Sequence, residues 1–204
     1  MKKIGLFGGT FDPIHLGHTR MARTFADEVR LDAVIFLPAG NPYHKTAAQT
    51  AAGHRLAMTE LACAADARFA VSDCDIVREG ATYTFDTVQI FRQQFPQAEL
   101  HWLLGMDSLL QLHTWKKWQT LVRQIRFVVA QREGGRLTAA PRELQEWLGG
   151  ALADGSVRLL NAPLTNISSS GIRSRLQSGE SVEDMLDGRV ADYIRTHGLY
   201  GTNN

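Results

Sequence analysis

Two histidines near the N-terminus, His15 and His18, are the residues whose type and spacing most clearly indicate chemistry. They stand three residues apart, so their imidazole rings share one face if a helix has begun. Gly17 lies between them, and the stretch 8–18 opens with a glycine pair that lets the backbone approach a ligand closely. Imidazoles and the free backbone N–H groups of a helix start both donate to phosphate oxygens. The stretch therefore predicts a clamp for the phosphates of a nucleotide.

A simpler interpretation of the same residues is a helix cap that carries surface histidines, and either histidine alone would favour it. The combination of the glycine pair, Thr10, Asp12-Pro13 and His-x-Gly-His directly after an apolar run favours the phosphate clamp instead. The stretch differs from the dinucleotide pattern G-x-G-x-x-G. It also differs from a Walker A loop, because no Gly-Lys-Ser/Thr follows.

A second anion site is predicted by the stretch 166–176, in which three consecutive serines precede an expected helix. The serine hydroxyls can cap the helix or donate to a ligand. We expect Arg173 in the first helical turn, beside the positive end of the helix dipole, where a cation is unfavourable unless an anion is bound. A guanidinium group can donate to two phosphate oxygens at once, which suits this position.

Further candidate residues follow the carboxyl ends of two expected strands, where ligands bind in open α/β sheets. His44 and Lys45 lie in the loop 39–51 and could reach an anionic group, although a solvated loop is the plainer alternative. Asp107 follows the strand 100–104, where its carboxylate could accept hydrogen bonds from ribose hydroxyls or cap the next helix.

Aromatic and hydroxyl side chains near these loops also leave alternatives open. Trp115 could stack on a flat ring, yet with Trp118 three residues later it could equally belong to the core. Thr82 and Thr84 open a helical pattern, and either of them could be its N-cap.

The elements that must position these residues alternate between strands and helices. Apolar runs predict strands over 4–7, 33–37, 69–72, 100–104, 127–130 and 157–160. Apolar residues at helical spacing predict helices over 19–30, 54–65, 141–148 and 189–196, and two more opened by residues 82–84 and by the serines. The alternation predicts an α/β fold with a doubly wound, mainly parallel, Rossmann-like sheet and a small C-terminal helical part. We expect a single domain over 1–204.

The composition narrows the function classes. Hydrophobic residues make up 44% and charged residues 21% of the 204 residues, as in soluble globular proteins. The net charge of +1 gives no electrostatic argument for binding nucleic acid or an anionic membrane. Cys63 and Cys74 are too few for a disulfide scaffold and suit small core or surface positions better than a redox pair. The short apolar stretch before Gly8 does not form a signal peptide, so we expect a cytoplasmic protein.

Taken together, the motifs resemble those of the nucleotidyltransferase superfamily with the His-x-Gly-His signature, and within it the bacterial nicotinate-nucleotide adenylyltransferases. The resemblance runs nearly end to end, and its markers are the stretches 8–18, 41–45, 82–87, 105–115 and 167–173. The first and last belong to the whole superfamily, whereas the middle three are more specific and determine the expected substrate.

The resemblance implies transfer of AMP from ATP to nicotinate mononucleotide, giving deamido-NAD and pyrophosphate in NAD biosynthesis. It implies Mg²⁺ held mainly by ATP phosphates and water, with no protein metal site, and catalytic roles for His15, His18 and Arg173. The ATP-binding residues it implies are Gly8, Gly9, Thr10, Phe11, His15, His18, Ser168, Ser169 and Arg173. The mononucleotide-binding residues it implies are His44, Lys45, Tyr83, Thr84, Asp107 and Trp115.

Three positions depart from the pattern of the family. Tyr43 stands where many members have a second proline, Ser170 stands where threonine is common, and the stretch 131–135 lacks the usual Arg-Pro-Gly turn. The alternatives are an adenylyltransferase acting on phosphopantetheine or nicotinamide mononucleotide, a nucleotide-sensing module without catalysis, and a nucleic-acid-binding protein. The near-zero net charge disfavours the last of these. The sequence leaves the oligomeric state open and allows a homo-oligomer.

Overall fold

A parallel β-sheet forms the centre of the molecule in a computed structural model that describes residues 1–40, 50–131, 140–161 and 166–202. Within these ranges the sheet has six strands: β1 Lys3–Gly9, β2 Ala33–Pro38, β3 Phe69–Val71, β4 Glu99–Gly105, β5 Arg126–Gln131 and β6 Val157–Asn161. Their order is β3-β2-β1-β4-β5-β6, and every pairing is parallel. The doubly wound α/β fold is thereby confirmed, with each strand at its expected place in the chain.

Helices cover both faces of the sheet. They are α1 Leu16–Val29, α2 Ala52–Cys63, α3 Cys74–Val77, α4 Thr84–Gln94, α5 Met106–Leu110, α6 Trp118–Leu121, α7 Arg142–Ala153, α8 Ser169–Gln177 and α9 Gly188–Thr196. The described residues also form two 3₁₀ turns, Leu112–Thr114 and Leu199–Gly201. Sequence periodicity did not predict α3, α5 and α6, because four or five residues are too few to display it. No helix in the described ranges is both long and apolar enough to cross a membrane.

The apolar strands are buried on both faces, which explains why their sequences run without polar alternation. Along β2, Val34 and Phe36 belong to one core cluster, whereas Ile35 and Leu37 belong to the other. The first cluster also contains Phe25 of α1 and the apolar residues of α8 and α9, and the second contains those of α4 and α7. The C-terminal helices thus share a core with the first helix of the chain.

The strand order reverses beside β1, which lies between β2 and β4 although β4 follows it by some 90 residues of chain. In sheets of this order, ligands bind in the crevice at the carboxyl ends of the two strands that flank the reversal. Here those ends are Gly8-Gly9 of β1 and Gly105 of β4. The topology therefore brings the loops that follow these two strands to one edge.

Close packing at the end of β2 makes Gly40 sensitive to substitution. A Cβ atom added there would overlap the backbone carbonyl oxygen of Asp75, which cannot move away as a side chain can. We expect Gly40→Ala to lower the free energy of unfolding by about 1–3 kcal/mol, the usual cost of overpacking. Urea denaturation followed by circular dichroism measures it.

Gly150 provides the matched control, because it lies within α7 and an added Cβ would meet nothing within 4 Å. Gly150→Ala is expected to raise the free energy of unfolding by about 0.5–1 kcal/mol, since alanine loses less backbone entropy in a helix. Equal effects of the two substitutions would show that the contact with Asp75 does not restrict position 40.

Candidate active site

The end of β1 and the loop that leads to α1 pack closely against aromatic rings, which two glycines permit. A Cβ at Gly8 would lie 2.8 Å from the Trp102 ring, and one at Gly9 would lie 2.6 Å from the Phe11 ring. Phe11 has a left-handed backbone (φ 50°), and its ring is buried against Phe7 and Phe36. Any contact between Phe11 and a ligand therefore falls to its backbone.

The two histidines lie together at the start of α1, as their spacing predicted. The helix begins at Leu16, three residues before its expected start, because His15 is the N-cap with an extended backbone. The rings of His15 and His18 stack with centroids 3.7 Å apart. The His15 backbone N–H donates to Nδ1 of His18 at 3.3 Å, so a neutral His18 ring carries its proton on Nε2.

His15 is held as a neutral imidazole by its surroundings. Its side chain is buried, and burial lowers the pKa of His15 to about 4. Its Nδ1 is also buried and finds no hydrogen-bond partner in the described part of the chain. The ring is consequently uncharged near pH 7, and it is a hydrogen-bonding group rather than a fixed cation.

Arg55 of α2 holds the other side of this loop, and nothing in the sequence pattern indicated it. The residue is 1% exposed, and its guanidinium group donates to the carbonyl oxygens of Thr10 (2.8 Å), Thr50 (3.1 Å) and Gly40 (3.3 Å). These bonds tie the loop after β1 to the end of β2. No local signal could have found this residue, since its partners lie up to 45 residues away.

The serine-rich stretch approaches the same loop from the far end of the chain. The Arg173 guanidinium donates to the carbonyl oxygen of Asp12 at 2.7 Å, and the Ser169 hydroxyl donates to that of Pro13 at 2.9 Å. Ser168 is the N-cap of α8 and accepts a hydrogen bond from the Gly171 backbone N–H. The two stretches singled out from the sequence are therefore neighbours.

The expected position of Arg173 in the first helical turn is wrong. α8 begins at Ser169, which makes Arg173 its fifth residue and places it in the second turn. The helix dipole acts mainly within the first turn, so the argument that the dipole demands an anion loses most of its force. Instead, a loop carbonyl fixes the direction of this guanidinium group.

A third contact to the loop comes from Tyr200, which the sequence analysis missed. Its hydroxyl donates to Oδ1 of Asp12 at 2.6 Å from a residue with a left-handed backbone (φ 59°). Burial and the hydrogen bond with Asp12 raise the pKa of Tyr200 far above its usual range, so the phenol stays protonated. No motif surrounds this tyrosine, and only the folded chain reveals its role.

A pocket of about 440 Å³ lies beside the carboxyl end of β4, within the usual size of small-molecule sites. Its lining residues are Thr82, Tyr83, Thr84, Asp107, Ser108, Gln111, Thr114, Trp115 and Lys116. Tyr83, Thr84, Asp107 and Trp115, four of the expected mononucleotide-binding residues, are therefore brought together. His44 and Lys45 lie outside the described residues, as do the neighbouring Tyr43 and most of the loop 131–138.

The structure gives the positions of the pocket residues for which the sequence left alternatives open. Trp115 is partly buried and packs edge-on against Trp102 of β4, yet its remaining surface faces the pocket. Asp107 is exposed in the first turn of α5, whose N-cap is Gly105. Neither Thr82 nor Thr84 is the N-cap of α4, because Tyr83 occupies that position.

A buried acid, Asp75, is bonded to the segment that enters the pocket, and the sequence analysis missed it as well. Asp75 accepts hydrogen bonds from the Thr87 hydroxyl at 2.6 Å and from Arg78 at 2.9 Å. Burial raises the pKa of Asp75, opposed by these two partners. Thr82 donates to its backbone carbonyl at 3.4 Å, which fixes the segment that enters the pocket.

Both cysteines are free thiols. Cys63 is buried in the core, and burial raises the pKa of its thiol to about 12. Cys74 is partly buried, and burial raises its thiol pKa as well. Both thiols stay protonated near neutral pH, which agrees with packing roles.

Comparisons with known proteins give concordant results. A family model described as cytidylyltransferase-like matches residues 6–175. A chain from Neisseria meningitidis, named "probable nicotinate-nucleotide adenylyltransferase", is 68% identical over 98% of this chain and 99% of its own length. A chain with the same name from Bordetella petrii is 45% identical over 98% and 100% of the two lengths.

Solved structures show the same fold at much lower sequence identity. The nicotinic acid mononucleotide adenylyltransferase of Plasmodium falciparum, complexed with NaAD, superposes with a TM-score of 0.78. The superposition covers 100% of this chain and 99% of the other at 20% identity. At that identity the likeness concerns the fold alone.

The lowered pKa of His15 predicts a dependence of stability on pH. Between pH 6.5 and about 4 the unfolded chain binds a proton at this residue that the folded chain does not bind. The contribution of His15 to stability is therefore present above pH 6.5 and is lost as the pH falls towards 4, by at most about 1.4 kcal/mol per pH unit. His15→Gln should reduce the fall in the free energy of unfolding across this window.

Urea denaturation at pH 6.5, 5.5 and 4.5 measures the effect, with His197→Gln as the control because His197 is exposed. We expect the His197 variant to follow the parent protein. An unchanged slope in His15→Gln would contradict the burial of a neutral imidazole at position 15.

Proposed function

Since this chain belongs to the cytidylyltransferase-like family and, within it, to the nicotinate-nucleotide adenylyltransferases, we propose that it transfers AMP from ATP to nicotinate mononucleotide. The products are nicotinate adenine dinucleotide and pyrophosphate, a step of NAD biosynthesis. The observation that carries the proposal is the contact of the His15/His18 loop with Arg173 and Ser169, beside a pocket lined by Trp115. The donors around the His15/His18 loop suit phosphates, and the pocket lined by Trp115 suits a flat ring.

The phosphates of ATP would bind where the loop after β1 meets the start of α1. Gly8, Gly9 and Thr10 would bring backbone N–H groups close, while the neutral imidazole of His15 and the ring of His18 would donate to phosphate oxygens. Arg173, Ser168 and Ser169 would contribute from α8. These residues supply hydrogen-bond donors and a guanidinium cation, which suit an anionic ligand whose negative charge shifts towards the leaving group during the reaction.

The proposed reaction is a direct displacement without a covalent intermediate. A phosphate oxygen of the mononucleotide attacks the α-phosphorus of ATP, and a new P–O bond forms as the bond from the α-phosphorus to the bridging oxygen breaks. The electron pair of that bond leaves with pyrophosphate. The attacking phosphate is already an anion near pH 7, because its second pKa is about 6, so no side-chain base is required. The protein contributes position and charge stabilisation.

We propose that Mg²⁺ accompanies ATP, bound to phosphate oxygens and water. Within the described residues, no group of three or more His, Cys, Asp or Glu side chains is arranged to hold a metal ion. The donors of His15, His18 and Arg173 suit phosphate oxygens, and those oxygens are the ligands that Mg²⁺ prefers. The ion supplies neutralisation of phosphate charge when bound.

The acceptor would lie in the pocket after β4. Its pyridine ring would stack on Trp115, with Tyr83 and Thr84 near the carboxylate and Asp107 near the ribose hydroxyls. The β4 residue Trp102 joins the two parts, because it packs under Gly8 and against Trp115. His44 and Lys45 are proposed to flank the mononucleotide phosphate.

A paired-substrate assay tests the function. The purified protein is given ATP and Mg²⁺ with nicotinate mononucleotide, nicotinamide mononucleotide or phosphopantetheine, and pyrophosphate release is followed. We expect the highest kcat/KM with nicotinate mononucleotide. ATP binding without pyrophosphate release from any acceptor would instead identify a nucleotide-sensing module, and a preference for phosphopantetheine would refute the acceptor.

The phosphate clamp predicts a large loss of turnover in His18→Ala. We expect kcat to fall by at least about 100-fold, the scale for removing one donor to the transition state. His197→Ala is the control, because His197 is an exposed histidine at the end of α9. Circular dichroism verifies that both variants fold, and near-normal turnover in His18→Ala would refute the clamp.

A further inference from the structure

One cation, Lys116, faces the pocket after β4, and its role is unassigned. Among the described residues that line the pocket it is the single lysine or arginine, and Asp107 is the single acid. The Lys116 ammonium lies 4.8 Å from the centroid of the Tyr83 ring. It also contacts both carboxylate oxygens of Asp86 in the first turn of α4, at 2.7 and 3.0 Å.

The neighbouring lysine, Lys117, lies in a different environment. Lys117 has a left-handed backbone (φ 51°), which turns the chain directly after Lys116. The Lys117 ammonium lies 4.9 Å from the centroid of the Phe85 ring, and this residue does not line the pocket. Two adjacent lysines of equal charge thus occupy different environments, and only one of them can meet a ligand in the pocket.

The pocket must distinguish two ligands of nearly the same shape. Nicotinate and nicotinamide mononucleotides differ in a carboxylate against a carboxamide, and both stack on a tryptophan ring equally well. A hydroxyl such as that of Thr84 can donate to either group, so neutral hydrogen bonds discriminate weakly. A cation is favoured by the carboxylate alone, because only this group brings a negative charge.

We propose that Lys116 determines the preference for the acid over the amide by pairing its ammonium with the substrate carboxylate. This inference rests on the proposed function. The ion pair with Asp86 holds the ammonium beside the pocket while the site is empty, over the ring of Tyr83. Both partners are about one-third exposed, and such pairs contribute little to stability. Exchanging the Asp86 carboxylate for that of the substrate is therefore easy.

Asp86 has the opposite effect on selectivity. Its carboxylate competes for the same ammonium and repels a second carboxylate placed nearby. The amide substrate brings no charge that could replace Asp86, so it leaves the pair intact and gains nothing from Lys116. Removing Lys116 should lower the selectivity for the acid, and neutralising Asp86 should raise it.

The test is the ratio of kcat/KM for nicotinate mononucleotide to that for nicotinamide mononucleotide, measured at saturating ATP. We expect Lys116→Met to lower the ratio by at least about 10-fold, mainly through KM for the acid, as for the loss of a charged hydrogen bond. Lys116→Arg should keep the ratio within about threefold, since the charge is retained. Lys117→Met, the matched control, should leave it unchanged, and Asp86→Asn should increase it.

The outcomes separate this inference from the proposed function. If the parent protein uses neither mononucleotide, the function itself fails. If the parent prefers the acid and Lys116→Met keeps that preference, the function stands and the role of Lys116 is refuted. A merely structural ion pair would make Lys116→Met and Asp86→Asn change both substrates alike, and such a parallel change would also overturn the inference.

Discussion

The loop between β1 and α1 depends on hydrogen bonds from distant side chains to its own carbonyl and carboxylate oxygens. Arg55 binds the Thr10 carbonyl, Arg173 binds the Asp12 carbonyl, and Tyr200 binds the Asp12 side chain. A loop without regular structure cannot pair these groups internally, and leaving them buried and unpaired would be costly. The three donors come from three other elements and fix the backbone that His15 and His18 continue. The proposed phosphate clamp is thus built on a loop that the rest of the protein holds on several sides.

The sheet joins this loop to the pocket through a single indole. Trp102 is buried in β4, lies against Gly8 where a larger residue would not fit, and contacts Trp115 edge-on. The two parts of the site therefore share one rigid element across the reversal of strand order. A reaction between two bound nucleotides requires their reacting atoms to be held in register, and neighbouring strands of one sheet provide that better than separate loops would.

Local sequence patterns predicted those features of the structure that depend on neighbouring residues in the chain. The buried strands, the longer helices and the turn before His15 and His18 follow from apolar runs, helical spacing and glycine placement. The sequence analysis did not identify Arg55, Asp75 and Tyr200. Their roles depend on burial or on partners that lie far away along the chain. Arg173 was predicted to bind an anion on a helix-dipole argument that its position does not support, since it lies in the second turn and donates to a loop carbonyl. Trp115 shows why spacing could not choose between core and ligand contact, since the residue packs on one side and lines a pocket on the other.

The bond from Tyr200 to Asp12 joins residues 188 positions apart, and this separation has a consequence for the newly made protein. A ribosome adding about 5–20 residues per second needs roughly 10–40 s to pass from one to the other. During that time the nascent chain already displays its glycine pair and both histidines, but not α8 or the phenol that orient the loop. The loop that we propose to bind ATP is synthesised early and becomes organised late. Vectorial synthesis therefore delays the competent site until the C-terminal elements have emerged and packed.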